Sequence, residues 1–145
     1  MSIDLPDLSA MQGFGERIAA KLRPGDVIAL HGGLGAGKTT LARAILRALG
    51  HDGEVPSPTF TLIESYEQLN PPVVHADFYR LEHRSEVEQL GLDDYREGAA
   101  LIAEWPDNAG GFAQEPQCLT IRLEIADAGR LAIVEAGADW LGRMP

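Results

Sequence analysis

The densest chemical signal in this chain is the run Gly32-Gly33-Leu34-Gly35-Ala36-Gly37-Lys38-Thr39-Thr40. It satisfies the phosphate-loop pattern G-x-x-x-x-G-K-[ST] at each defined position. Glycines remove the Cβ atoms that would keep backbone N–H groups away from a polyphosphate. A helix N-terminus behind the loop adds unpaired N–H groups and a dipole that favours anions. On this reading residues 33–40 wrap a nucleotide's phosphates, Lys38 reaches the β- and γ-phosphates, and the Thr39 hydroxyl ligates Mg²⁺.

Two carboxylates are placed to complete such a site. Val73-Val74-His75-Ala76-Asp77 is an apolar run that ends in an acid, and Ala99-Ala100-Leu101-Ile102-Ala103-Glu104 repeats the layout. In open parallel sheets ligands lie at the carboxyl ends of strands, so Asp77 and Glu104 are expected on one rim beside the loop. Asp77 then acts as the acid that supports the metal or hydrolysis, from behind the metal's own ligands or through water. Glu104 ligates Mg²⁺ through water or orients the attacking water. His75 reads as a packed strand histidine rather than a ligand, and Trp105 as a cover over the site.

Other residues admit two readings from their types alone. Ser57, Thr59 and Thr61 form either an ordinary edge strand with outward threonines or a switch segment whose hydroxyls orient water near the γ-phosphate. Arg130, just after the Ala128-Gly129 turn, either reaches the nucleotide or sits solvated, and Arg80 is a phosphate or partner contact.

The elements that must hold these residues follow from periodicity. Val27-Ile28-Ala29-Leu30 is a buried strand leading into the loop, and Leu41 to Leu49 has helical spacing closed by Gly50. Upstream, Ser9-Ala10-Met11-Gln12 resembles a capping box, with Met11, Phe14, Ile18 and Leu22 on one face. That predicts a helix over 10–22, packed on the sheet near the nucleotide's base or sugar. A second capping box at Ser85-Glu86-Val87-Glu88 opens a short helix stopped by Gly91. Cys118 to Ala126 and Arg130 to Ala136 alternate as an antiparallel hairpin.

With 145 residues the chain makes one domain over 1–145, and its length suffices to bury a substantial core. The fold class expected is α/β: a single-domain phosphate-loop NTPase with a mostly parallel sheet, flanking helices and a C-terminal antiparallel hairpin. Twelve basic residues against 22 acidic ones give a net charge of −10, which lacks the footprint of a protein that grips nucleic acid by itself. The single cysteine, Cys118, excludes an internal disulfide. With no basic and apolar leader at the start, the expected location is the cytoplasm, without membrane attachment.

Taken together, Leu34-Gly35-Ala36-Gly37-Lys38-Thr39-Thr40, Ser57-Pro58-Thr59-Phe60-Thr61-Leu62, His75-Ala76-Asp77-Phe78-Tyr79-Arg80-Leu81 and Glu104-Trp105-Pro106 resemble, in order and spacing, the TsaE or YjeE-type ATPase family. That family serves bacterial tRNA threonylcarbamoyladenosine synthesis, and the resemblance covers nearly the whole chain. Two positions vary from its usual pattern: Gly33 stands where an aspartate is common, and Phe78 where a leucine is. The resemblance implies that Lys38 binds phosphate, that Thr39 and Glu104 hold Mg²⁺, that Asp77 supports metal or hydrolysis, and that Ser57 to Thr61 form a switch. It implies ATP as the nucleotide and a TsaD–TsaB-like complex as partner. That complex transfers a threonylcarbamoyl group to N6 of the adenosine beside the anticodon in tRNAs reading codons that begin with A. A TsaE-like protein does not perform the transfer; its nucleotide cycle resembles a motor or reset step, and tRNA is met only through the partners.

Two other classes compete. A small-molecule or nucleoside kinase would need an Arg-rich lid to clamp a transferring phosphoryl group, and a GTP-operated switch would need a guanine-reading N-K-x-D segment late in the chain. The sequence contains neither.

Overall fold

The computed structural model describes residues 1–55, 63–83 and 85–145. In chain order they form β1 (Ser2–Leu5), α1 (Leu8–Ala19), β2 (Val27–His31), α2 (Lys38–Ala48), β3 (Ile63–Tyr66), β4 (Val73–Asp77), α3 (Ser85–Leu90), α4 (Leu92–Arg96), β5 (Ala100–Glu104), β6 (Cys118–Ile125) and β7 (Arg130–Ala136). Among the described residues the strands make one sheet in the order β1-β7-β6-β2-β5-β4-β3. Its centre, β6-β2-β5-β4, is parallel, while β1 on β7, β7 on β6 and β3 on β4 run antiparallel. The expected α/β fold with a C-terminal hairpin is thus present, with its parallel strands in the core.

Strand periodicity divides the core in two. Side chains alternate between faces along a strand, so Ile28 and Leu30 of β2 join Phe14, Ile18, Leu41, Ile45 and Ile102 beneath α1 and α2. Val27 and Ala29 join Val74, Ala76, Phe78, Leu101 and Ala103 on the opposite face. α1 lies close on α2 because Gly15 faces Ala44; a Cβ on Gly15 would come within 2.5 Å of the Ala44 Cβ.

Three local expectations change. The first helix spans Leu8–Ala19 instead of 10–22, because Asp7 is its cap: Asp7 is extended, and its Oδ1 accepts from the Ala10 N–H at 2.8 Å. An aspartate at that position satisfies an orphan N–H that Ser9, inside the first turn, cannot reach. Leu22 still packs in the core beyond the helix end. At the second capping box the reach-back comes from Glu86, whose Oε2 accepts from the Glu82 N–H at 3.2 Å. Finally, β1 was not expected; it pairs Ser2–Leu5 with Arg130–Ile133 across the whole length of the chain. Among the described residues no helix is long and apolar enough to cross a membrane.

A buried clamp ties the C-terminus to the strand that feeds the loop. Arg143 donates through both terminal nitrogens to Asp26, at 2.8 and 2.9 Å, and again to the Lys21 carbonyl at 2.7 Å. Asp26 directly precedes β2 and also accepts from the Arg23 N–H at 2.7 Å. Its carboxylate lifts the Arg143 guanidinium above its already high ordinary value.

Candidate nucleotide site

The loop between β2 and α2 takes the shape its glycines permit. Gly32 and Gly37 have φ of +144° and +107°, a region in which L side chains are strained. At Gly32 space also forbids a side chain, since a Cβ would stand 2.7 Å from the Leu123 carbonyl oxygen on β6. The first four N–H groups of an α-helix lack intrahelical acceptors, and in α2 these belong to Gly37, Lys38, Thr39 and Thr40. Gly37, as the N-cap, supplies no side chain to satisfy them. The helix therefore presents a set of donors, with its positive dipole end, to whatever fills the cleft in front of it.

That cleft has a volume of about 410 Å³ and is lined by Leu34, Gly35, Gly37, Lys38, Thr39, Thr40, Asp77, Tyr79, Glu104, Trp105 and Arg130. Most residues predicted to serve the site are thereby brought to one wall. Ala36 is buried in the loop. Gly33 is exposed, falls outside the cleft lining and lines the neighbouring hollow with Arg122 and Asp107. Arg80 is exposed and outside the cleft lining. Ser57, Thr59 and Thr61 lie outside the described residues. Another cleft of the same volume, between Ser65, Val74 and Tyr95, opens at the opposite ends of β4 and β5 and contains none of these residues.

Parallel pairing of β4 with β5 sets Asp77 directly beside Glu104. Both carboxyls are buried, at 7 % and 2 % exposure, at the mouth of the loop. The Thr39 hydroxyl donates to Glu104, 2.9 Å from Oε1 and 3.1 Å from Oε2. Asp77 Oδ1 accepts from the Tyr79 N–H at 2.9 Å. Burial raises the Asp77 carboxyl above its usual range and the neighbouring Glu104 adds to this, against the opposing pull of the Tyr79 N–H, His75 and Lys38.

Lys38 is 5 % exposed, and its Nζ donates to the carbonyls of Gly32 and Gly33 at 2.7 and 2.8 Å. Burial lowers its ammonium below the ordinary lysine value, although Glu104 and Asp77 pull the other way. The Trp105 ring lies over the ammonium, 4.4 Å from Nζ to the ring centroid, and Tyr79 packs on the same indole at 4.9 Å. Trp105 itself has φ 55° and ψ 51°, a conformation rare for a bulky residue and concentrated at functional sites.

Arg130 departs from the solvated reading. Its Nε donates to the Ala36 carbonyl at 3.0 Å and a terminal nitrogen donates to the Gly35 carbonyl at 3.1 Å, so the hairpin turn holds the loop from the side. The sheet order explains this, since β6 lies next to β2 and carries the turn to the loop. His75 is a fully buried strand histidine, as its sequence context suggests, and what sequence reading missed is its bond to Glu104. The available signal was its position two residues before Asp77, which on a strand means the same face.

The family model described as "Threonylcarbamoyl adenosine biosynthesis protein TsaE" matches residues 5–132. A protein of Synechocystis sp. named tRNA threonylcarbamoyladenosine biosynthesis protein TsaE is 41% identical over 112 residues, covering 74% of this chain and 71% of that protein. The protein of the same name from Haemophilus influenzae is 36% identical over 132 residues, covering 87% and 83%. The crystal structure of Bacillus subtilis YdiB superposes with a TM-score of 0.74 at 27% identity, covering 99% of this chain and 88% of that one. A glycine loop capping α2, two acids at adjacent strand ends and these matches along most of the chain agree: it belongs to the TsaE family of tRNA threonylcarbamoyladenosine biosynthesis proteins.

Proposed function

We propose that this chain binds ATP together with Mg²⁺ in the loop cleft and hydrolyses it in support of tRNA threonylcarbamoylation, working on a TsaD–TsaB-like complex in the cytoplasm. The observation that carries this reading is the bond between the Thr39 hydroxyl and Glu104 beside Lys38 and Asp77. A hydroxyl and two carboxylates are hard oxygen donors of the kind Mg²⁺ selects, and they adjoin a helix N-terminus suited to phosphate. Thr39 and Glu104 would hold the ion, with Asp77 supporting it through water; the ion would neutralise charge developing on the phosphates.

The chain's own groups divide the remaining work. Lys38 and the N–H groups of Gly37 to Thr40 bind the polyphosphate, and Trp105 with Tyr79 excludes water from the lysine side. The Tyr79 N–H holds one oxygen of Asp77, and among the described residues the other accepts no hydrogen bond and can orient a water. Acidic balance fits a role in which partners carry the RNA, because a charge of −10 repels phosphate backbones. Ser57, Thr59 and Thr61 are proposed as the switch that couples nucleotide state to the partner.

The test is phosphate release from ATP, without any acceptor, set beside GTP and measured with and without a TsaD–TsaB pair. Slow release with ATP alone, a rise on adding the partners, and losses in Thr39→Ala and Glu104→Ala that exceed their losses in nucleotide affinity support the reading. No release in any condition, or equal losses in rate and affinity, refutes it.

A further inference from the structure

We infer that His75 is a positioning residue for Glu104, setting the carboxylate's orientation toward Thr39 and so the site's affinity for a divalent cation; the inference rests on the Mg²⁺-binding role proposed for that pair. His75 and Glu104 come from neighbouring strands, and alternation puts His75, Asp77 and Glu104 on one face of the sheet. The imidazole Nε2 is 2.7 Å from Glu104 Oε2, with the two side chains 0 % and 3 % exposed. A carboxylate only accepts, so Nε2 carries the hydrogen.

Geometry then assigns the two sides of the carboxylate. The Thr39 hydroxyl is nearer Oε1, at 2.9 Å against 3.1 Å to Oε2, while His75 holds Oε2 at 2.7 Å. Without His75 the carboxylate would keep only Thr39 as a hydrogen-bond partner among the described residues, and rotation about its last torsion, which is broad for glutamate, would cease to be fixed. His75 Nδ1 is buried and has no partner among the described residues, so no second hydrogen bond accounts for a histidine here. A side chain kept fully buried with one nitrogen unsatisfied is costly as core filling, where leucine would serve; its contribution is the bond to Glu104. Groups behind a metal-holding residue typically change metal affinity or activity 10- to 100-fold when removed.

The experiment measures binding as well as turnover. Affinity for a non-hydrolysable ATP analogue is titrated with and without Mg²⁺ in wild type, His75→Leu and His75→Gln, glutamine placing an N–H donor near the position of Nε2. Expected is a loss of about 10- to 100-fold in Mg²⁺ affinity for His75→Leu, with Mg²⁺-free analogue affinity within about two-fold of wild type, and recovery of most of the loss in His75→Gln. Equal Mg²⁺ affinity in His75→Leu, or no recovery in His75→Gln, overturns the inference. A wild type that shows no Mg²⁺ dependence overturns the proposed function instead. Because either variant can fail to fold, the imidazole ¹⁵N spectrum of the unliganded wild type provides a second measure: hydrogen on Nε2 supports the bond, and hydrogen on Nδ1 alone overturns it.

Discussion

Replacing Lys38 by methionine separates affinity from stability. A lysine ammonium about 4 Å from one unit of phosphate charge gains about 4 kcal/mol at an effective dielectric of about 20. Part of that is already committed, because Nζ donates to the Gly32 and Gly33 carbonyls and must release them. At a net worth of about 1 kcal/mol for each hydrogen bond, the balance is about 2 kcal/mol, or roughly thirty-fold in Kd. For folding the charge itself carries the reverse sign. Burial holds the Lys38 ammonium below its ordinary value, so the charged form costs stability at neutral pH, and the cost fades only as pH rises past the lowered value. Methionine keeps the stem beneath the Trp105 ring and removes both the buried charge and the two carbonyl hydrogen bonds, which act on stability with opposite signs, so Lys38→Met is expected to leave Tm within about 3 °C of wild type while weakening ATP about thirty-fold. Calorimetric titration and thermal unfolding, both without partners, check the pair. Kd within about three-fold of wild type, or a change in Tm of more than about 3 °C, would refute the reasoning.

Four other perturbations follow from the same geometry. Arg143→Met leaves Asp26 buried and unpaired, which costs about 3–5 kcal/mol and lowers Tm by roughly 6–20 °C, while nucleotide affinity measured below the new transition stays unchanged. Asp77→Asn keeps an acceptor for the Tyr79 N–H and removes a charge that burial disfavours. Its Tm should exceed wild type at pH 7, and the gain should disappear as pH falls through the raised Asp77 value, where the wild-type carboxyl is protonated; a gain independent of pH would contradict this. At the loop, a Cβ on Gly33 meets nothing within 4 Å, so Gly33→Asp should leave Tm unchanged within about 2 °C. Gly32→Ala, facing the Leu123 carbonyl at φ +144°, should lower Tm and nucleotide affinity together.

What the sequence revealed, and what it hid, divides along a physical line. β2, the loop and α2 are contiguous, so their residue pattern fixes their local geometry, and the strand ends at Asp77 and Glu104 follow from parallel-sheet topology alone. β1 was hidden because four residues are too short for a periodic signal and its partner β7 lies at the other end of the chain. Ser9 suits the role of a cap by residue type, as Asp7 does, and only the backbone's extended turn at Asp7 decides between them. Arg130 and His75 belong to a third kind. Each makes its bonds across strands that no local pattern orders: Arg130 reaches the loop only because β6 adjoins β2, and His75 reaches Glu104 only because β4 adjoins β5. Both act on residues inside the segments that local pattern does mark, Arg130 on the Gly35 and Ala36 carbonyls and His75 on the Glu104 carboxylate. The motif thus supplies the groups that face a ligand, and strand order supplies the groups that hold them in place. Substitutions at Arg130 and His75 should therefore act through loop and carboxylate geometry, reaching nucleotide and metal binding even though the signature residues remain intact.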